Sequence, residues 1–202
     1  MMVIPENLPP NIAPLAWLLG SWRGWGMLAQ ATDGPDIPVI EKIRADICGT
    51  HVRMVTTVYR GTLRGEIEPT LDAAEGLALI DEDDLVREET LYVTLLPGSG
   101  ALPPPGEYED RQLTASGGDL SGIAALWVGV ASGPRIQMVT DTIARDARAE
   151  NIEHMGRMYG LVGGEMMWTQ ERTMGGHDTQ TDISGRLARL EDAANVSTSA
   201  DE

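Results

Sequence analysis

Three histidines, one cysteine and a few acidic runs are the side chains with which this chain could do chemistry, and their spacing suits none of the familiar schemes. His51, His154 and His177 are too far apart for a paired metal-ligand motif, and Cys48 has no second cysteine to join it. His154 shares an alternating face with Ile152, Gly156 and Met158, the pattern of a hydrogen-bonded core or surface histidine. His177 follows Gly175-Gly176 in a turn, and His51 opens a strand. Asp81-Glu82-Asp83-Asp84 lacks the alternating oxygen ligands and the closing glutamate of a calcium loop, so it reads as a solvated hairpin turn. Glu88 and Glu89 are adjacent, which in a strand sends them to opposite faces and prevents them from sharing a proton. No Gly-x-Ser-x-Gly elbow offers a hydrolase serine. No Gly-x-Gly-x-x-Gly opens a helix, and the only lysine, Lys42, follows Glu41 rather than a glycine. These residues give neither a catalytic set nor a metal site.

Composition narrows the partners. The chain has 202 residues, enough for one domain with a sizeable core, and carries 31 acidic against 15 basic residues, a formal charge of −16. That charge opposes binding to nucleic-acid phosphates and to anionic membrane surfaces. No stretch is apolar for long enough to span a bilayer as a helix, no secretory leader is visible, and a single cysteine fits a reducing cytoplasm. Phenylalanine is absent, so five Trp, four Tyr and ten Met do the bulky packing. A methionine-rich interior could adapt to a flexible apolar ligand, although composition alone favours ordinary core packing. A homodimer is left open.

The elements are strands. Ile40 to Ile47 and His51 to Arg60 form a hairpin about Cys48-Gly49-Thr50. Further strands are expected at Leu77 to Ile80, Leu85 to Leu96, Gln112 to Ala115, Ile123 to Ala131, Arg135 to Ala144, Ala147 to Val162, Glu165 to Met174 and Ile183 to Leu190. Many short strands with tight turns and little helical periodicity predict an all-β antiparallel barrel or sandwich; recurring hairpins without long crossovers favour the up-and-down barrel. Residues 1–14 hold four prolines and read as an extended lead, 15–191 as the barrel domain, and 192–202 as a disordered acidic tail. Leu15 to Leu19 is expected to form a short helical segment capping one end of the barrel.

Gly20-Ser21-Trp22-Arg23-Gly24-Trp25-Gly26 follows that segment. In a strand Gly20, Trp22, Gly24 and Gly26 share a face, so one indole stands among bare backbones on which another segment must press, Leu15 to Leu19 being the nearest candidate. The spacing GxWxGxG, with its LxxLxG lead-in, resembles nitrobindin, a haem-binding β-barrel family whose fold is similar to fatty-acid-binding proteins. Asp141-Thr142-Ile143-Ala144-Arg145 and Arg157-Met158-Tyr159-Gly160-Leu161-Val162 look like that family's strands, and Ile183-x-x-x-Leu187-x-Arg189 falls in its terminal register. Pro97 to Gly118 matches poorly. The resemblance implies about ten strands, ferric haem b, interaction with nitric oxide and isomerisation of peroxynitrite to nitrate.

Two positions depart from the family. Its iron is held by a histidine in a Pro-His-Leu context, where this chain has Thr181-Asp182-Ile183, and a carboxylate is a poor proximal haem ligand. Its Tyr-Pro-Thr, whose threonine approaches the haem, appears as Ile37-Pro38-Val39, and Val39 donates no hydrogen bond. His177 lies five residues before Asp182, on the other face and roughly 16 Å off in a continuous strand, so it could serve as a substitute ligand only if a loop folds it inward. The expectation is a nitrobindin-like barrel with a degenerate haem site that holds a small, largely apolar ligand in its cavity. The alternative is a haem b-binding peroxynitrite isomerase with a non-standard axial ligand.

Overall fold

Alternation of apolar and polar residues with period two runs through most of the chain, and the structure turns it into ten strands. The structure is a computed structural model that describes residues 8–30, 34–100, 104 and 106–190. The strands are β1 (Gly20–Leu28), β2 (Ile37–Cys48), β3 (His51–Leu63), β4 (Ile80–Leu95), β5 (Arg111–Asp119), β6 (Ile123–Ser132), β7 (Arg135–Arg145), β8 (Ile152–Val162), β9 (Glu165–Met174) and β10 (Gln180–Arg189). Each pairs antiparallel with the next, and β1 pairs with β10, so the sheet is a closed up-and-down barrel with no free edge. The hairpins turn on glycine where the backbone demands it: Gly163 and Gly164 between β8 and β9 have φ of 61° and 91°, both in the left-handed region. No helix among the described residues is long and apolar enough to cross a membrane.

Inward positions make one core. Val52, Met54, Thr56 and Val58 on β3 and Ile123, Ala125, Trp127 and Ala131 on β6 are buried, while their neighbours face outward. Ala13–Leu18 forms a 3₁₀ turn that plugs the end of the barrel where β1 begins; Leu15 and Leu18 are wholly buried, and the Trp22 indole N–H donates to the Leu18 carbonyl at 2.8 Å. Arg189 on β10 holds the plug, donating to the Trp17 carbonyl at 2.7 Å and to that of Leu19, with its guanidinium 4.0 Å from the Trp22 ring centre. Ile12 is also in the core, so packing begins before the plug. Residues 1–7 of the expected lead and the tail from 191 lie outside the described residues.

The glycine motif works otherwise than its neighbours in sequence suggest. A Cβ on Gly24 would stand 2.0 Å from the Arg186 carbonyl oxygen, and one on Gly26 would stand 2.1 Å from that of Ser184. The backbone of β10, 160 residues away in sequence, is what presses on these glycines, and the Leu15 to Leu19 segment presses on Trp22 instead.

Three further expectations need correction. Asp81 to Asp84 is not a turn but the exposed start of β4, where Asp81 pairs with Arg64, and Glu82 with Lys42 at 2.8 Å and Arg23 at 3.2 Å. Neighbouring cations make a strand of an acidic run that local sequence would solvate. Leu77 to Ile80 is not a strand: α1 (Ala73–Leu77) ends there, its Asp72 cap accepting from the Ala74 and Glu75 amides, and Ile80 opens β4. Residues 147–151 form a turn, and β8 starts only at Ile152.

Candidate functional site

Alternation carries charged side chains inward at the end of the barrel opposite the plug. On β9 the inward series is Met166, Trp168, Gln170 and Arg172; on β8 it is Met155, Arg157 and Tyr159; Glu41 takes an inward place between Val39 and Ile43 on β2. β4 contributes Arg87 and Glu89. Asp182 falls at an irregularity in the β9–β10 register, between Thr181 and Ile183, and the extra residue lets both Asp182 and Ile183 be buried. The bulge is tied to β1 by the Ala29 amide, which donates to the Asp182 carbonyl at 2.8 Å.

Asp182 is the centre of this group. Its side chain has no solvent exposure, and its carboxylate oxygens lie 2.9 Å from Arg87 Nη1 and 3.1 Å from Arg172 Nε. Gln170 Nε2 donates to it at 2.8 Å. The oxygen of the same Gln170 amide accepts from Arg157 Nε at 2.9 Å, and Arg157 makes a two-pronged pair with Glu89. The Arg157 guanidinium also donates to the Tyr159 hydroxyl at 3.2 Å and lies 4.8 Å from the Trp127 ring centre and 5.5 Å from that of Trp168. Burial opposes its charge, yet Glu89 beside it holds the guanidinium above its ordinary pKa. Burial raises the Tyr159 hydroxyl, so it stays protonated.

Glu41 lies deeper. It is 0% exposed, accepts from Trp168 Nε1 at 2.6 Å through Oε2, and has no hydrogen-bond partner at Oε1. Loss of hydration on burial pushes its pKa up to about 8; the Trp168 hydrogen bond and the Arg87 charge oppose that rise without cancelling it. Room for the carboxylate comes from absent side chains, since a Cβ on Gly26 or Gly185 would meet Glu41 at 2.4 or 1.8 Å. Gly26 therefore serves twice, since the space a single Cβ would fill there is shared by the β10 backbone and this carboxylate.

The positions singled out from the sequence are distributed as follows. Val39 is wholly buried and pairs with Gly26, which on its other side pairs with Gly185, so it belongs to the same end of the barrel as Asp182. His177 is exposed in the β9–β10 turn, its amide bonded to the Met174 carbonyl. His154 has its Nδ1 3.5 Å from the Thr140 hydroxyl; a bulge separates it from Ile152, so the two do not share a face as the alternation suggests. His51 lies beside Thr50 at the other end. Glu88 and Glu89 do diverge, Glu88 outward and Glu89 to Arg157. Sequence reading missed Glu41, Arg87, Arg157, Gln170 and Arg172. The available signal was a charged or amide side chain at an inward place in an alternating face. Among the described residues no three His, Cys, Asp or Glu side chains are grouped as a metal site.

Comparison with known proteins follows the same lines. Residues 11–189 match the model of the THAP4-like, heme-binding beta-barrel domain. A ferric nitrobindin-like protein of Beutenbergia cavernae is 33% identical over 217 residues, covering 93% of this chain and 98% of that one. A peroxynitrite isomerase of Leifsonia xyli subsp. xyli is 30% identical, covering 95% of this chain and all of the other. Rv2717c from M. tuberculosis has the same fold, with a TM-score of 0.66 at 20% identity over 92% of this chain and all of its own. A full-length match to the domain, relatives at this identity and the ten-stranded closed barrel agree: the chain belongs to the THAP4-like haem-binding β-barrel family, the nitrobindins.

Proposed function

We propose that this member of the family does not use haem, and that it is a small-ligand-binding barrel rather than a peroxynitrite isomerase. The reading rests on the terminal register that puts Asp182 where the family has its ligating histidine, and one observation supports it: the Asp182 carboxylate is already held by Arg87, Arg172 and Gln170. The charge of this carboxylate is balanced by Arg87 and Arg172, and displacing it towards an iron would leave two guanidiniums facing each other. Val39 offers only methyl groups, and His177 stands in an exposed turn, so neither repairs the site. This donor set does not fit haem. The inside of this end is polar, which moves the expected apolar ligand away from the surroundings of Asp182. An exposed, unpaired Cys48 supports a cytoplasmic setting.

Hemin titration of the purified protein, followed by Soret absorbance, tests this. The native protein is expected to give no saturable ligated spectrum. Asp182→His is expected to stay empty too, because Arg87 and Arg172 still converge there, whereas Asp182→His combined with Arg87→Leu is the first variant expected to ligate. A saturable five- or six-coordinate histidine-type spectrum from the native protein would overturn the proposal.

A further inference from the structure

Between β3 and β4 the chain leaves the barrel and folds back over its outer wall. This excursion, residues 64–79, covers the outward faces of β1 and β2: Trp25, Ile40 and Ile80 form a second small core against it. Its attachment is polar. Trp25 Nε1 donates to the Asp72 carbonyl at 2.9 Å, Arg186 Nη1 to the Leu71 carbonyl at 2.6 Å, and the Ala73 amide to Glu165 at 2.8 Å. Beside the excursion no described residue covers the wall of β10, β9 and β8, and a groove of about 850 Å³ lies there. Trp25, Met27, Ile67, Met158 and Met167 line it; Met158 and Met167 are each about two-fifths exposed. The volume falls in the range of small-molecule sites, and the lining joins apolar side chains to a few charged ones.

Charge gives the groove a direction. In wall order β2, β1, β10, β9, β8, β7, it has Asp36, just before β2, at one end and Arg135, the first residue of β7, at the other. Arg135 is exposed and makes no ion pair among the described residues. Arg186, the other arginine of the lining, is neutralised by Glu165, which lies 2.8 Å from its Nε. From β1 to β7 there are four strand spacings, about 19 Å along the wall.

We infer that the groove between the 64–79 excursion and the outer wall of β8–β10 binds an apolar molecule carrying one anionic group, with the anion at Arg135 and the apolar body on Met158, Met167, Met27 and Trp25. Methionine and tryptophan accept irregular apolar shapes, and an unpaired guanidinium is the natural partner for a carboxylate or sulfonate. Asp36 repels an anion at the opposite end and so fixes the orientation. The site lies outside the barrel and does not depend on whether the interior takes haem.

The test uses 8-anilinonaphthalene-1-sulfonate and its uncharged analogue N-phenyl-1-naphthylamine as probes on the full chain. Native protein is expected to bind both, the sulfonate more tightly. Arg135→Gln should weaken the sulfonate about tenfold and leave the neutral probe unchanged. Met158→Glu should weaken both. In spectra of methyl-labelled methionine, the signals of Met27, Met158 and Met167 should move on addition of the sulfonate, while those of the buried Met54 and Met138 stay in place. The inference is overturned if the native protein does not bind the sulfonate, if Arg135→Gln affects both probes alike or neither, or if other methionine signals move instead. Sedimentation as a dimer that Met158→Glu dissociates would also overturn it.

Discussion

Removing the Asp182 carboxylate tests the central ion-pair group most directly. Asp182→Ala takes away the one anion between Arg87 and Arg172 and deprives Gln170 of its acceptor. Breaking a buried pair typically costs about 3–5 kcal/mol, because the remaining charge is left desolvated. Here the two guanidiniums keep 21% and 16% side-chain exposure, and Arg172 retains Glu150 at 2.7 Å, so the lower end applies, about 3 kcal/mol. For a chain of this size 1 kcal/mol moves the midpoint by about 2–4 °C, so thermal unfolding followed by tryptophan fluorescence at pH 7 should show a fall of about 6–12 °C. Replacing the group as a whole should behave differently. Asp182→Leu with Arg87→Leu and Arg172→Met exchanges ions for apolar volume, which is commonly neutral or stabilising, and should recover most of the loss. The reasoning fails if Asp182→Ala shifts the midpoint by less than about 2 °C, or if the triple variant is less stable than the single one.

Two further perturbations follow from the geometry. The folded-state pKa of Glu41, near 8, exceeds the ordinary value of 4.5, so the folded chain keeps a proton that the unfolded chain releases; stability falls as pH rises from about 4.5 to about 8 and levels off above. Glu41→Gln removes that slope, so its midpoint should gain on that of the native protein between pH 5 and pH 8.5; a constant difference across that range would show that Glu41 titrates normally. Gly24→Ala places a methyl group 2.0 Å from the Arg186 carbonyl oxygen on β10 and should cost at least about 3 kcal/mol in urea unfolding. Gly65→Ala, with open space around its Cβ, should stay within about 0.5 kcal/mol and serves as its control.

The strands could be read from the sequence because their determinant is local. Val52, Met54, Thr56 and Val58 declare β3 by alternation alone, and Trp22 among Gly20, Gly24 and Gly26 declares an unusually close-packed β1. Local sequence misled where a distant residue decides. Asp81 and Glu82 belong to a strand because Arg64, Lys42 and Arg23 neutralise them, and α1 is too short to show a helical period. The site itself was the least legible. Trp168 meets Glu41 across 127 residues of chain, and Arg157 meets Glu89 across 68. Only the register of a closed barrel brings them together, and no spacing in the linear chain encodes it. Asp182 could be recognised as a departure from a family pattern, but its two arginine partners could not.

Closure by the first and last strands governs when the protein can become native. Trp22 faces Arg189 and Leu28 faces Ile183, so the seam joins the two ends of the described chain. Every other strand pair can form as its hairpin is synthesised, but β1 must wait with one row of amides and carbonyls unpaired until β10 has left the ribosome. Until then the nascent barrel is an open ribbon whose edge strand, bare at Gly20, Gly24 and Gly26, has little bulk to discourage a stranger from docking on it. The seam joins the strands farthest apart in sequence, so its closure carries the largest loop entropy of any strand pair in the barrel. The Arg189 latch onto the Trp17 and Leu19 carbonyls needs β10, so sealing the wall also completes the anchoring of the plug that Trp22 begins.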